Sequence, residues 1–170
     1  RPQEGEAEDL RGFEWYYLWR QSHRHRMSLD HGSVVRAVAF SRDGAVLASA
    51  GFDGKVRLWD PRTGDLTATF TTPAQLWDIA FSPDGKVLAA GGGTELECVV
   101  TLWDLASRTL IATMKGPYCY TDSIAYFPDG KTLATGCRGH CTPLWDTEKH
   151  VVRSVVPASN VVRGVAVSPD

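Results

Sequence analysis

The sequence predicts an all-β fold in which one four-stranded antiparallel sheet is repeated three times and begun a fourth time. The first observation is a turn motif, Ser-Pro-Asp-Gly or a close variant, whose aspartates are Asp43, Asp84, Asp129 and Asp170. The intervals are 41, 45 and 41 residues, and a period in this range indicates stacked structural units. The second observation is that each unit carries four short runs rich in Val, Leu, Ile and Trp between turn residues, which is typical of strands.

The first unit illustrates how the four strands are recognised. Its apolar runs are about 35–41, 45–50, 55–60 and 65–70. They are joined by Asp43-Gly44, Asp53-Gly54 and Thr63-Gly64, which are typical of tight hairpin turns. Helical spacing fits none of these runs, so each unit is expected to form one antiparallel sheet.

A Leu-Trp-Asp tripeptide marks the third strand of every complete unit. Its signature residues are Trp59 and Asp60, Trp103 and Asp104, and Trp145 and Asp146. The turn aspartate precedes this Trp by 16, 19 and 16 residues, so the second unit has about three extra residues, which we assign to an extended hairpin tip within 91–97. Trp77-Asp78 imitates the marker but directly precedes Ile79, and therefore belongs to a first strand.

A period in the low forties, with four strands per unit and Trp-Asp at the end of the third, resembles the WD-repeat (WD40) family. The units of that family are the blades of a β-propeller. The resemblance covers residues 25–170 and implies a partial WD40 propeller with three blades and the start of a fourth. The expected boundaries are 25–29 for a closing outer strand, 30–70, 71–114 and 115–156 for the blades, and 157–170 for the start of the fourth.

The resemblance also implies a hydrogen-bonded tetrad of His, Ser or Thr, Asp and Trp in each blade. In the first unit it maps to His31, Ser49, Asp53 and Trp59, with a structural role, because a buried indole N–H needs an acceptor. The aligned residues are Thr72, Ala90 and Glu97 in the second unit, and Pro117, Thr135 and Gly139 in the third. We therefore expect incomplete tetrads there. We also expect an irregular third blade, since Pro143 falls inside a strand.

The two ends of the chain lead to separate expectations. Residues 1–24 begin acidic and become aromatic-rich, and apolar residues at helical spacing predict a short amphipathic helix over about 8–21. The stretch 9–20 also resembles the linker before the propeller in large bacterial WD-repeat proteins, many of which carry a serine/threonine protein kinase domain. The chain stops within a hairpin turn, so we expect a fragment that needs the remaining blades of its own propeller.

The bulk composition narrows the class of partner. A net charge of -2 and a pI near 6.2 supply no broad basic field, which disfavours nucleic acid as a partner. No apolar run reaches the roughly 18 residues of a membrane span. The cytoplasm is favoured as the compartment, with an extracytoplasmic location if the parent protein has a membrane span.

The sequence contains no motif that indicates catalysis. Nucleophile elbows, phosphate-binding Gly loops and metalloprotease helices do not occur, so we expect neither enzyme activity nor a cofactor. Cys137, His140 and Cys141, together with Cys119, could in principle supply four zinc ligands. Their irregular spacing favours ordinary thiols, and no metal site is expected.

Candidate binding residues come from the start of each first strand, where the family bends and presents side chains to one face. The mapped residues are Arg36, Trp77, Asp122 and Arg163, with the turn-preceding Phe52 and Arg138 beside them. Their character varies between repeats, as a recognition surface requires, although plain solvent exposure predicts the same variation. We expect a non-catalytic scaffold that binds a protein or peptide through this face. The alternative is a sensor or regulatory module of a bacterial serine/threonine protein kinase.

Overall fold

Antiparallel strands provide the regular structure of this chain. A computed structural model describes residues 27–94, 97–117 and 120–168, and within them lie three separate four-stranded sheets and no helix. The chain divides into two units after Asp30, and all of the strands lie in the second. The all-β prediction is confirmed.

Sheet 1 follows the four runs of the first repeat. Its strands are β1 (Val35–Phe40), β2 (Leu47–Gly51), β3 (Lys55–Trp59) and β4 (Leu66–Thr71), hydrogen-bonded in chain order. Gly44 and Gly54 occupy the turns with φ of 70° and 69°, a left-handed conformation that glycine adopts without steric cost. The alternation of turn glycines and apolar runs therefore predicted this sheet closely.

Sheet 2 has the same order but longer central strands. It consists of β5 (Leu76–Phe81), β6 (Val87–Gly93), β7 (Glu97–Asp104) and β8 (Thr109–Pro117). The strands β6 and β7 have 7 and 8 residues, against 5 each in β2 and β3, so the extra residues of this repeat lengthen its central hairpin as predicted. Trp77-Asp78 lies in β5, the first strand of the sheet.

Sheet 3 is the irregular one. It consists of β9 (Thr121–Tyr126), β10 (Thr132–Cys137), β11 (Cys141–Asp146) and β12 (Val151–Pro157). Pairing of β10 with β11 runs as far as Ala134 opposite Leu144 and resumes only at Cys137 opposite Cys141. Pro143 lies in this gap, where its missing N–H interrupts the ladder as the sequence predicted.

The apolar core lies between neighbouring sheets. Side chains of sheets 1 and 2 form one buried cluster, and those of sheets 2 and 3 form another. Ile124 of β9 packs so closely on Gly91 of β6 that a Cβ at Gly91 would overlap it, which explains the glycine in mid-strand. The sheets therefore stack through their first strands.

The ends of the chain carry no strand in their described parts. Residues 27–30 are not in a strand, so the closing strand expected at 25–29 is not formed there, and the helix predicted over 8–21 lies outside the described residues. Residues 158–168 are also not a strand, although they correspond to the start of a fourth blade. The bonds from Val162 N to Cys137 O (3.2 Å) and from Val165 N to Ser123 Oγ (3.3 Å) hold this segment against sheet 3.

Candidate functional site: an arginine–aromatic cluster

A β-bulge interrupts the first strand of all three sheets at the equivalent residue. In sheet 1 the register skips Arg36, in sheet 2 it skips Trp77, and in sheet 3 it skips Asp122. A bulge leaves one residue unpaired and re-aims its side chain. The three sheets thus present one non-ladder side chain each at the same end of their first strands.

The three aromatic rings at this end contact one another across the sheets. The ring of Trp77 meets Phe52 of the first repeat with centroids 5.1 Å apart, at an interplanar angle of 64°. It meets Tyr120, just before β9, at 5.7 Å and 66°. Both are edge-to-face arrangements, which suit the quadrupoles of aromatic rings. Trp77 therefore links residues of all three repeats.

Two guanidinium groups lie over these rings. Arg36 Cζ is 4.6 Å from the centroid of Trp77 and 5.4 Å from that of Phe52. Arg138 Cζ is 4.5 Å from Trp77 and 5.2 Å from Tyr120. All four distances are within the range of cation–π attraction. We call Arg36, Phe52, Trp77, Tyr120 and Arg138 the arginine–aromatic cluster.

The two arginines of the cluster differ in electrostatic setting. Arg138 Nε donates to both carboxylate oxygens of Asp122 at 3.0 Å, and the Asp122 side chain is only 8% exposed. Arg36 is exposed and has no carboxylate partner among the described residues. The indole N–H of Trp77 is buried and has no acceptor within the same part of the chain. The cluster therefore holds more hydrogen-bond donors than acceptors.

Asp78, next to Trp77, joins two sheets beneath the cluster. Its carboxylate accepts hydrogen bonds from the backbone N–H of Ile79 at 2.9 Å and from that of Ile124 in the neighbouring sheet at 2.8 Å. Burial raises the pKa of Asp78 above its ordinary value, and the N–H groups of Ile124 and Ile79 and the Ser123 hydroxyl oppose this rise only in part. The residue positions the first strands of sheets 2 and 3 relative to each other.

The tetrad predicted for the first repeat is formed. His31 Nδ1 lies 2.7 Å from Ser49 Oγ, His31 Nε2 lies 3.3 Å from Asp53 Oδ1, and Trp59 Nε1 donates to Ser49 Oγ at 2.8 Å. Although burial acts to raise it, the Arg57 guanidinium and the Lys55 N–H hold the pKa of Asp53 below its ordinary value. This network connects β2 and β3 with the segment that precedes β1.

The other two repeats keep less of the tetrad, as predicted. In sheet 3, Trp145 Nε1 still donates to Thr135 Oγ1 at 2.9 Å. In sheet 2, Ala90 offers no side-chain acceptor, and the buried Trp103 Nε1 has no partner among the described residues. The sheets therefore differ in the hydrogen bond of the third-strand tryptophan, which has a side-chain acceptor in sheets 1 and 3 and none among the described residues in sheet 2.

The repeats of this chain match a known family model. The model for the WD domain, G-beta repeat, matches residues 24–60, 64–104 and 108–146, which is more than half of the chain. The chain belongs to the WD40 family. The matched ranges contain every residue of the arginine–aromatic cluster and every strand except β12.

Individual WD40 proteins resemble this chain over parts of their length. WD repeat-containing protein SL1-17 of Schistosoma mansoni is 33% identical over 141 residues, covering 82% of this chain and 46% of that protein. Actin-interacting protein 1 of Drosophila melanogaster is 38% identical over 86 residues, covering 49% of this chain and 14% of that protein. A solved structure titled Structure of U3-55K has a TM-score of 0.74 at 17% identity, covering 82% of this chain and 44% of that one, and supports the fold alone. The chain spans less than half the length of these relatives.

The sequence identified most of the cluster. The structure brings together five of the six mapped residues: Arg36, Phe52, Trp77, Asp122 and Arg138. Arg163 is exposed and makes no contact with these side chains in the described structure. Tyr120 was missed, because it precedes its strand and the equivalent residues Val34 and Gln75 are not aromatic. In the structure its carbonyl accepts a hydrogen bond from the backbone N–H of Arg138 at 3.3 Å, a contact that the sequence does not signal.

The far ends of the first strands offer a contrasting surface. A groove of about 380 Å³ lies between sheets 2 and 3 and is bordered by Asp84, Asp129 and Lys131. The carboxylates there already accept hydrogen bonds from their own turns, such as Ser82 Oγ to Asp84 Oδ1 at 2.6 Å. The carboxylates of this surface are therefore already engaged by groups of the chain itself.

The structure describes three of the four cysteine residues. Cys98, Cys137 and Cys141 are buried, and Cys119 lies outside the described residues. Among the residues that the structure describes, no group of His, Cys, Asp and Glu is arranged to hold a metal ion. In the same residues no helix is long and apolar enough to cross a membrane.

Proposed function

We propose that this chain is a non-catalytic module that binds a protein or peptide through the arginine–aromatic cluster. The observation that carries this is the set of three equivalent bulges, which aim side chains of different chemistry to one end of the sheets. Trp and Arg are the residue types most enriched in interface hot spots, and the cluster is built mainly from them. A relative named for interaction with actin is consistent with a protein partner.

The packing of the cluster supports recognition over a purely structural role. In the tetrad of sheet 1, His31, Ser49 and Trp59 are buried, whereas Arg36 is exposed and Phe52, Trp77 and Tyr120 are half-buried. Half-buried aromatic rings held rigidly by their neighbours lose little conformational entropy when a partner covers them. A bound peptide would then gain contact area at low entropic cost.

The proposal is tested by comparing proteins captured by the wild-type chain with those captured by two variants. Trp77→Ala removes the centre of the cluster, and Leu110→Ala truncates an exposed apolar side chain on the outer strand β8, where it is 47% exposed. Specific partners should be lost with Trp77→Ala and retained with Leu110→Ala, with both variants checked for folding by circular dichroism. Equal capture by all three proteins would refute the site.

We also propose that the chain is part of a larger propeller and that a further sheet covers its first face. Val38, Ile79 and Ile124 occupy equivalent positions in β1, β5 and β9, yet they are 65%, 5% and 6% exposed. Ile79 and Ile124 each pack on the preceding sheet, whereas no described sheet precedes β1. Three sheets are also fewer than the four to eight of a closed propeller. These observations support the need for remaining blades.

The alternative function, a regulatory module of a bacterial serine/threonine kinase, depends on residues 9–20, which lie outside the described part of the chain. The relatives reported above come from a flatworm and a fly. The kinase alternative therefore stays a prediction. Reading the coding sequence upstream of Arg1 for kinase motifs would test it directly.

A further inference from the structure

We propose that the arginine–aromatic cluster selects partners that present an anionic oxygen group, a carboxylate of Asp or Glu or a phosphate on Ser or Thr, to Arg36. This rests on the proposed function and concerns the chemistry of the partner. It is carried by the geometry of Arg36 and by the balance of charge around it.

Arg36 is held in place while its hydrogen-bond donors stay available. Its guanidinium lies over the rings of Trp77 and Phe52, at 4.6 and 5.4 Å from their centroids. Within the described part of the chain this guanidinium makes no hydrogen bond or ion pair, so its N–H groups remain available. A carboxylate or phosphate can accept two such N–H groups side by side, an arrangement that the compact ammonium of Lys cannot offer.

The second arginine of the cluster is already neutralised. Arg138 Nε contacts both oxygens of Asp122, whose side chain is 8% exposed. Asp78 is half-buried, and its carboxylate accepts from the backbone N–H groups of Ile79 and Ile124. The nearby carboxylates are therefore engaged inside the protein, and the positive charge of Arg36 is left to face a partner.

A further cation lies at the sheet 3 side of the cluster. Val162 N donates to Cys137 O at 3.2 Å, which brings the backbone preceding Arg163 beside the backbone preceding Arg138. Arg163 is exposed. Arg36 and Arg163 thus add two exposed cations near this end of the sheets. Such a local positive field attracts acidic peptides and repels basic ones.

The test uses a phage-displayed library of random peptides selected on the immobilised chain. Peptides bound by the wild type should be enriched in Asp and Glu and depleted in Lys and Arg. Arg36→Gln should abolish this enrichment, whereas Arg42→Gln should preserve it. Arg42 is the matched control because it is an exposed arginine in the turn at the other end of β1.

Selected peptides are then synthesised in three forms, with Glu, with Gln and with phosphoserine at the enriched position. The Glu or phosphoserine form should bind about tenfold more tightly than the Gln form, and the stronger of the two identifies the source of the anionic group. Added salt should weaken this difference by screening.

The contrary outcomes separate the two proposals. If no peptide is enriched by the wild type over Trp77→Ala, the proposed function fails and this inference fails with it. If peptides are enriched without an acidic preference, or the preference survives Arg36→Gln, the proposed function stands and the anionic preference is refuted.

Discussion

Three equivalent tryptophans, Trp59, Trp103 and Trp145, differ in one hydrogen bond. The first and third donate to Ser49 Oγ at 2.8 Å and to Thr135 Oγ1 at 2.9 Å. The indole N–H of Trp103 has no acceptor in the described part of the chain, because Ala90 stands where the others have a hydroxyl. An unsatisfied buried donor costs roughly 1–3 kcal/mol, so sheet 2 carries a defect that its neighbours do not.

Adding a hydroxyl at this position should stabilise the chain. We expect Ala90→Ser to raise the free energy of unfolding by about 0.5–1.5 kcal/mol, since it supplies an acceptor for the Trp103 N–H. Denaturant unfolding followed by tryptophan fluorescence measures the change. Ala89→Ser is the control, because Ala89 faces the apolar cluster between sheets 2 and 3 and its hydroxyl would be buried without that donor. Equal effects of the two variants would contradict this account.

Removing the corresponding hydroxyl from sheet 1 should have the opposite effect. Ser49 Oγ contacts both His31 Nδ1 and Trp59 Nε1, so Ser49→Ala leaves two buried polar groups without their partner. The free energy of unfolding should fall by about 1–3 kcal/mol in the same denaturation experiment. A change below about 0.5 kcal/mol would show that the tetrad contributes little to stability.

Among the elements, the first strands of sheets 2 and 3 are joined through the buried carboxylate of Asp78. It accepts the N–H groups of Ile79 in its own strand and of Ile124 in the next. In sheet 1 the equivalent residue is Ala37, which cannot accept, so Asp78 supplies the acceptor for both strands. The carboxylate is thereby buried without a cation among these partners.

The raised pKa of Asp78 predicts how its contribution to stability depends on pH. Because the folded pKa of Asp78 is raised above 3.8, the folded state binds the proton more tightly, and the contribution of Asp78 to stability falls as pH rises from about 4 through the folded pKa. The free energy of unfolding of the wild type minus that of Asp78→Asn should decrease across this window and be constant above it.

Asp53 serves as the control, because its contribution to stability should change with pH in the opposite direction. Its folded pKa is lowered, so its contribution is fully present above 3.8 and is lost as pH falls through the folded pKa. The difference between wild type and Asp53→Asn should therefore shrink on acidification, and parallel curves for the two aspartates would contradict the assignment.

The sequence was informative about the elements and less so about side-chain contacts. Turn glycines and the Trp-Asp marker located the strands, and Pro143 predicted the broken pairing of β10 and β11. Equivalent positions in the repeats pointed to Arg36, Trp77 and Asp122. Contacts across sheets depend on stacking geometry that no local pattern encodes, which is why Tyr120 was overlooked.

For the whole molecule, stability depends on how sheets cover one another. We expect Ile79→Ala to lower the free energy of unfolding by about 2–5 kcal/mol, because Ile79 is 5% exposed between two sheets. Val38→Ala, at the equivalent but 65% exposed position, should cost less than about 1 kcal/mol. Thermal or denaturant unfolding of both variants checks this, and a large loss from Val38→Ala would mean that its face is already covered in the isolated chain.

The central claim is that a protein partner contacts the arginine–aromatic cluster. Photo-crosslinking tests it most directly, with the phenyl ring of Phe52 replaced by the benzophenone of p-benzoylphenylalanine and the same amino acid placed at Leu110 as the control. Phe52 is half-buried beside Trp77, and Leu110 lies on the outer strand β8. We expect a covalent adduct with the captured partner from position 52 and none from position 110. Adducts formed equally from both positions, or from position 110 alone, would contradict it.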